Sequence, residues 1–154
     1  MKKWHIKHVE NEDYIFVNAK VANPLDPKKA EKVEFLVDTG ATGCAISSEL
    51  AEKLGLEASG TVDVGLADGS VKRVKAAYVL IEVAGRKLYT WAIYDKGFTP
   101  IMGLDVMRIL GIHVDVPNRN VLVPLRGLKI KKLRLYMGIS PSIYTFTVHY
   151  GKNQ

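Results

Sequence analysis

Between Thr61 and Tyr94 the chain is a run of β-forming segments broken only by turn signals, with no room for a crossover helix. Thr61 to Leu66 and Val71 to Val83 flank Ala67-Asp68-Gly69-Ser70, where the Asp-Gly pair supplies the positive φ that a tight hairpin turn needs. Ala84-Gly85-Arg86 then turns the chain into Lys87 to Tyr94. Strands joined by connections this short have to run antiparallel. The middle of the molecule is therefore predicted to be a β-meander, and its apolar face has to find cover in the flanking segments.

The flanks supply more strands and two short helices. Tyr14 to Ala22 is rich in β-formers and is stopped by Asn23-Pro24-Leu25-Asp26-Pro27, whose prolines have no amide to give a ladder. Val33 to Val37 reads as a second strand, buried on both faces at its end. After the short apolar Cys44-Ala45-Ile46, the segment Ser47 to Gly55 carries a serine cap, an early acid, a late lysine and a closing glycine, the start and stop signals of a two-turn helix. Thr99 to Gly103 is a short strand ending in glycine. Leu104 to Leu110 has helical spacing and Gly111 closes it, and Ile112 to Val116 with Val121 to Val123 form one more hairpin around Pro117-Asn118-Arg119-Asn120. Roughly eight or nine strands and two short helices place the chain in the mainly β class, with closed or paired sheets.

A length of 154 residues allows one compact domain and leaves two independent catalytic domains no space. The 22 basic residues against 16 acidic ones give a net charge of +6, and the excess is concentrated from Arg126 to Arg134, a stretch with no acid. The single cysteine, Cys44, excludes an intramolecular disulfide framework, reads as a core residue and favours a reducing compartment. Residues 1–14 open with the lysine pair Lys2-Lys3 but have no apolar run behind it, which does not fit a signal peptide, and no stretch approaches the ~18 apolar residues of a membrane span. A cytoplasmic location is expected.

The chemistry-bearing candidate is Asp38, set at the end of a buried strand in Phe35-Leu36-Val37-Asp38-Thr39-Gly40-Ala41. A carboxylate directly after three apolar residues is costly to bury unless amides and hydroxyls turn toward it; Thr39 and Gly40 can supply them, the glycine by letting the chain fold back closely. An Asp-Thr-Gly turn after a strand is also a common structural element. A second segment, Pro100-Ile101-Met102-Gly103-Leu104-Asp105, again presents bulky apolar residues, then glycine, then a helix. Asp105 reads as a favourable partner of that helix's dipole. His5 and His8 share a spacing that a metal would accept, but His113 and His149 are remote in sequence and no cysteine pair accompanies them, so no metal is expected. Trp4 and Trp91 read as packing residues.

These segments in this order resemble the retropepsin-like aspartic proteases, the single-domain relatives of pepsin that include the retroviral enzymes. The resemblance runs from about Glu12 to Val123. It implies a closed β-barrel of the acid protease type with one or two short helices over residues 1–124, followed by a basic C-terminal extension, 125–154. It further implies that Asp38 is catalytic, that Thr39, Gly40 and Ala41 support the active site, that Ile101, Met102 and Gly103 pack behind it, and that Leu66, Ala67, Asp68, Gly69 and Ser70 form a flap over a bound peptide. The chain departs from the viral enzymes at Thr42-Gly43-Cys44, where they usually place an acidic residue, and in the long basic loop before Val33. The first departure is closer to cellular and microbial members and bears on substrate preference.

Hydrolysis by aspartates needs two carboxyls that share one proton, one acting as base on water and the other as acid on the scissile carbonyl. The chain has one Asp-Thr-Gly, so the resemblance implies a homodimer that sets Asp38 against Asp38 of a second copy, acting on a peptide or polypeptide substrate with no cofactor. Two other classes stand beside this reading. One is a catalytically silent dimerisation or peptide-binding module of the same fold, against which stands the cost of several kcal/mol for burying an unpaired Asp38. The other is a basic adaptor whose tail binds nucleic acid. The extension is expected to add strands or dimer contacts, with Tyr144 to Tyr150 as an edge strand.

Overall fold

The computed structural model describes residues 6–9, 12–66, 68–115, 120–122, 130–137 and 144–150, with side chains placed for residues 14–66, 68–115 and 121–122. The elements run β1 (Ile6–Val9), β2 (Glu12–Ala22), β3 (Ala30–Val37), β4 (Cys44–Ser47), α1 (Ser48–Lys53), β5 (Gly60–Gly65), β6 (Val71–Val83), β7 (Arg86–Asp95), β8 (Ile101–Met102), α2 (Leu104–Leu110), β9 (His113–Asp115), β10 (Asn120–Leu122), β11 (Ile130–Met137) and β12 (Tyr144–Tyr150). The described residues are mainly β with two short helices, as the turn spacing predicts.

Eight strands form one sheet in the order β1-β2-β3-β8-β4-β7-β6-β5, and an additional pairing of β2 with β6 closes β2, β3, β8, β4, β7 and β6 into a ring. The meander β5-β6-β7 is antiparallel, with Val62 opposite Val74 and Ala77 opposite Ala92. The turn between β6 and β7 places Ala84 at φ 50° and Gly85 at φ 80°, the two positive angles of a type I′ turn. β9 pairs with β10, and β11 with β12, each as a separate two-stranded sheet. The Pro117 to Arg119 turn and the basic residues 126–129 lie outside the described residues. β11 is a strand that its irregular sequence pattern conceals, and its register with β12, Leu133 opposite Val148, supports the expected strand at Tyr144 to Tyr150.

Alternation along the strands aims one side of the ring at the core. Val17, Ala19 and Val21 of β2, Val33 and Phe35 of β3, Ala77, Val79, Ile81 and Val83 of β6, and Ala92 of β7 are buried together with Met102, Val106, Met107 and Leu110 from β8 and α2. Cys44 joins them at 1% exposure, in keeping with its reading as a core residue. Among the described residues, no helix is long and apolar enough to cross a membrane.

Both helices end as their glycines predict. Gly55 (φ 62°) and Gly111 (φ 66°) adopt the left-handed conformation, while Leu56 N–H donates to Ala51 O (2.9 Å) and Ile112 N–H to Met107 O (2.7 Å), the long-range bond of a Schellman motif. At the other end of α1, the Ser47 hydroxyl accepts from Leu50 N–H at 3.1 Å. Arg86 donates to Leu110 O at 2.7 Å, a cation on the carbonyl end of α2.

Asn23 is the buried polar side chain of the described core, at 8% exposure. Its Nδ2 donates to Leu54 O (3.0 Å) and Gly55 O (2.9 Å), and its Oδ1 accepts from Leu25 N–H (2.9 Å), which ties the loop after β2 to the end of α1. Asn23→Ala strands all three groups and is expected to cost about 2–3 kcal/mol in urea denaturation. Asn23→Asp is expected to cost more at neutral pH, because a carboxylate has no proton to offer two carbonyls; equal losses for the two variants would contradict the donor role.

Candidate active site

β8 lies between β3 and β4. It runs parallel to β3, with Leu36 opposite Ile101 and Val37 opposite Met102, and antiparallel to β4, with Ala45 opposite Ile101. The chain leaving β3 at Val37 therefore has to arch over the end of β8 to reach β4, and residues 38–43 are that arch. Its base is tied down by Asp38 N–H donating to Met102 O at 3.1 Å, and by the first amides of α2, where Leu104 N–H donates to Ala41 O (2.9 Å) and Asp105 N–H to Thr42 O (3.0 Å). These bonds satisfy helix-start donors that lack partners within the helix. Gly103 makes the crossing possible: a Cβ there would overlap the Gly43 carbonyl oxygen and stand 2.7 Å from its carbon and 2.8 Å from its nitrogen.

On this arch Asp38 is half-buried, while Thr39 and Gly40 are exposed. The carboxylate is thus less enclosed than the apolar residues before it suggest, because the arch lifts it off the end of the strand. Gly40 N–H donates to Asp38 Oδ1 at 2.8 Å, and a Cβ on Gly40 would sit 3.2 Å from the same oxygen. The backbone doubles back onto the carboxylate as the glycine predicts, and Ala41 N–H donates to Asp38 O at 3.3 Å.

Strand alternation puts Asp38 on the same face as Leu36, away from the side of β3 that carries Phe35. Following the register from there, Leu36 faces Ile101, Ile101 faces Ala45, Ala45 faces Ile93, and Ile93 faces Ala76. This apolar stripe across four strands and β8 begins beside Asp38. Ile101 is the one member that the motif reading names. Leu36, Ala45, Ile93 and Ala76 escape it, since no local pattern discloses which distant strands become neighbours.

The β5-β6 hairpin ends in a turn in which Leu66 N–H donates to Ser70 O (2.8 Å) and Gly69 N–H to Leu66 O (2.9 Å), with Gly69 at φ 83°. Asp68 Oδ1 accepts from the Ser70 amide (2.9 Å) and hydroxyl (2.6 Å), and these donors hold its carboxyl below the usual range. Ala67 lies outside the described residues. Farther down the hairpin, Arg73 grips Asp63 with two bonds of 2.7 and 2.9 Å, which likewise lowers the Asp63 carboxyl. Leu66 and Val71 leave apolar side chains exposed at the tip.

Beneath the arch, Asp105 lies on the core side. Thr90 of β7 donates to its Oδ2 at 3.3 Å, and Val106 N–H to its Oδ1 at 2.6 Å. Burial outweighs these bonds and pushes its carboxyl up to about 6. That burial acts against the helix start, whose first turn Asp105 occupies and whose dipole favours a carboxylate. Burial also pushes the Cys44 thiol up, with the nearby Asp105 carboxylate adding to the effect, so this cysteine is no nucleophile. Among the described residues, no three His, Cys, Asp or Glu side chains are grouped to hold a metal.

Residues 17–114 match the family model described as aspartyl protease. Among solved structures, the fold is similar to that of the EIAV protease complexed with the inhibitor HBY-793, with a TM-score of 0.51 and 18% identity over 68% of this chain and 95% of that one. No curated protein matched.

Proposed function

The chain belongs to the aspartyl protease family and shares the retroviral protease fold, and from that premise we propose that it is an endopeptidase of the retropepsin type, active as a homodimer. The carrying observation is the carboxylate of Asp38, presented on an arch beside the Gly40 amide at 2.8 Å and at the head of an apolar stripe. Other aspartates are engaged elsewhere: Asp63 by Arg73, Asp68 by Ser70, Asp95 by Lys72, and Asp105 on the core side.

Two Asp38 carboxyls brought to about 3 Å cannot both ionise, so the pair holds one proton between them. The ionised member takes a proton from water as that water attacks the scissile carbonyl. The protonated member donates to the carbonyl oxygen, and the resulting gem-diol collapses with proton transfer to the leaving amine. In this reading Thr39 braces the two arches across the dimer axis, and Gly40 and Ala41 leave room for substrate. Leu66, Ala67, Asp68, Gly69 and Ser70 close over a peptide that pairs in extended form, and its side chains pack on Leu36, Ile101, Ala45 and Ile93. Residues 1–124 form the protease domain, and the basic 125–154 extension serves the dimer.

Subunit mixing tests the shared site. If one carboxyl comes from each chain, blending wild type with Asp38→Asn chains lowers peptidase activity as the square of the wild-type fraction, to about one quarter in an equimolar blend at fixed total protein. A linear fall to about one half would overturn the shared dyad.

A further inference from the structure

We propose that the face of β6 and β7 turned away from Val79 and Ile81 is a docking surface for a flanking segment of the polypeptide substrate, one that carries acidic residues beside aromatic or other apolar ones. The inference rests on the reading of the stripe beside Asp38 as the surface that receives substrate.

Cross-strand register lays this face out in rungs. Next to Ala76 and Ile93, the far end of that stripe, Tyr78 stands opposite Trp91, then Leu80 opposite Tyr89, then Glu82 opposite Lys87. Tyr78 and Trp91 pack on each other, with ring centroids 4.2 Å apart and planes tilted by 50°, yet remain 49% and 39% exposed, and Tyr89 is 65% exposed. On β2, Ala22 continues the Leu80 rung and Lys20 the Glu82 rung, and Lys32 of β3 stands opposite Lys20. An open pocket of about 50 Å³, lined by Lys20, Ala22, Pro27, Leu80, Glu82 and Lys87, joins those two rungs. A single water needs about 10–15 Å³, so the pocket has room for the end of one side chain. At ~3.3 Å per residue the rungs from Ala76 to Glu82 span about 20 Å, the reach of an extended segment of about six residues.

Two unfavourable terms on this face name its occupant. Neighbouring exposed aromatic rings keep apolar surface in water that a partner's side chains would remove. Lysines directly opposite each other repel. Glu82 is engaged by Lys87 at 3.9 Å, and neither Lys20 nor Lys32 forms an ion pair among the described residues. Glu34, next on that face of β3, stands opposite Asn18 and outside the rung. Lys20, Lys32 and Lys87 against Glu82 therefore favour carboxylates beside the aromatic surface. The same charge disfavours the chain's own extension, whose residues 126–134 are basic without an acid, and a second copy, which would bring a like lysine rung. Continuity with Ile93 and Ala76 places the segment on the chain that carries the scissile bond.

Tryptophan fluorescence reads the docking without catalysis. In the full-length Asp38→Asn chain with Trp4→Phe, Trp91 is the one remaining indole. The probe is a peptide of three glutamates followed by Phe-Leu-Phe; its controls carry lysines in place of the glutamates, or alanines in place of Phe-Leu-Phe. At neutral pH the probe is expected to shift Trp91 emission to the blue and to bind about 10-fold more tightly than either control, less so as salt is added. Lys20→Glu combined with Lys32→Glu is expected to raise its Kd by about 10-fold, and Tyr89→Ser by about 5-fold. A lysine control that binds as tightly, or a Kd that neither variant changes, overturns the proposal. A fall in dimer mass on Tyr89→Ser would assign the face to a second copy, and lost amide protection of β11 and β12 in that variant would assign it to the extension; either result overturns the proposal as well.

The link to substrate is read in the enzyme with Asp38 intact. The segment is joined to a cleaved peptide about five or six residues from the scissile bond, the extended reach of the strand spacings from Leu36 to Ile93 and one rung beyond. It is expected to lower KM by about 10-fold, and an unchanged KM would detach the surface from the substrate and overturn the proposal. Absence of turnover in the wild type at every pH would sink the protease reading alone, because docking is read by fluorescence.

Discussion

Asp38→Asn is expected to abolish peptide hydrolysis, lowering kcat by about 10⁴-fold or more, while melting temperature and dimer mass stay close to those of the wild type. The expected loss is large because, in the proposed homodimer, the same carboxyl, once in each copy, would supply both the base and the acid, and groups acting as a unit are not replaced piecemeal. The fold is expected to survive because an asparagine oxygen can still accept from Gly40 N–H, which now bonds Asp38 Oδ1 at 2.8 Å, and because the half-exposed site imposes no burial penalty on an amide. Assays on an unstructured polypeptide between pH 3 and 7, followed by mass spectrometry of the products, provide the check. Retained turnover in the variant would remove Asp38 from the chemistry. No turnover in either protein, with a stable dimer in both, would favour the silent peptide-binding module.

The second large effect is expected at Gly103. Gly103→Ala drives a Cβ onto the Gly43 backbone, within 2.8 Å of its nitrogen and carbon, and neither chain can yield. The arch is held by Leu104 and Asp105 on one side and by Met102 on the other. Overpacking against backbone belongs to the severe class of substitutions, about 4 kcal/mol or more, which for a chain of this size lowers Tm by roughly 10–15 °C. Gly43→Ala is the matched control. Its Cβ would meet Asp105 Oδ2 at an ordinary 3.8 Å, so its effect is expected to stay within about 1 kcal/mol. Equal Tm losses for the two variants would show that the crossing is not what requires glycine at 103.

The fold was legible wherever the signal was local. Ser47, Gly55 and Gly111 cap helices by bonds to residues a few positions away, and Gly69 and Gly85 turn the meander through their own φ angles, so each position carries its meaning in its neighbours. β1 and β11 were harder. β1 is four residues long, and β11 mixes basic and apolar residues without a clean period. The site was legible in part for the same reason. Asp38-Thr39-Gly40 is a local device, in which a carboxylate is bonded by an amide two residues on. Asp105 was legible as an acid of the first turn of α2, but its bond from Thr90 was not, because that depends on which strand comes to lie beside the helix.

The sequence alone determined the mainly β class, the two capped helices, the aspartate on its glycine turn, and the need for a second copy if that aspartate is to act in a pair. Each follows from bonding or stereochemistry within a few residues, or from the count of a motif. Only the tertiary structure decided that β8 is inserted between β3 and β4, that Gly103 is required by the chain crossing at Gly43, that Leu36, Ile101, Ala45, Ile93 and Ala76 share Asp38's face, and that Asp105 lies beneath the arch. Those facts depend on which remote strands pair and in what register. Register is set by burying the whole apolar face at once, and a one-residue slip would turn every side chain to the other face.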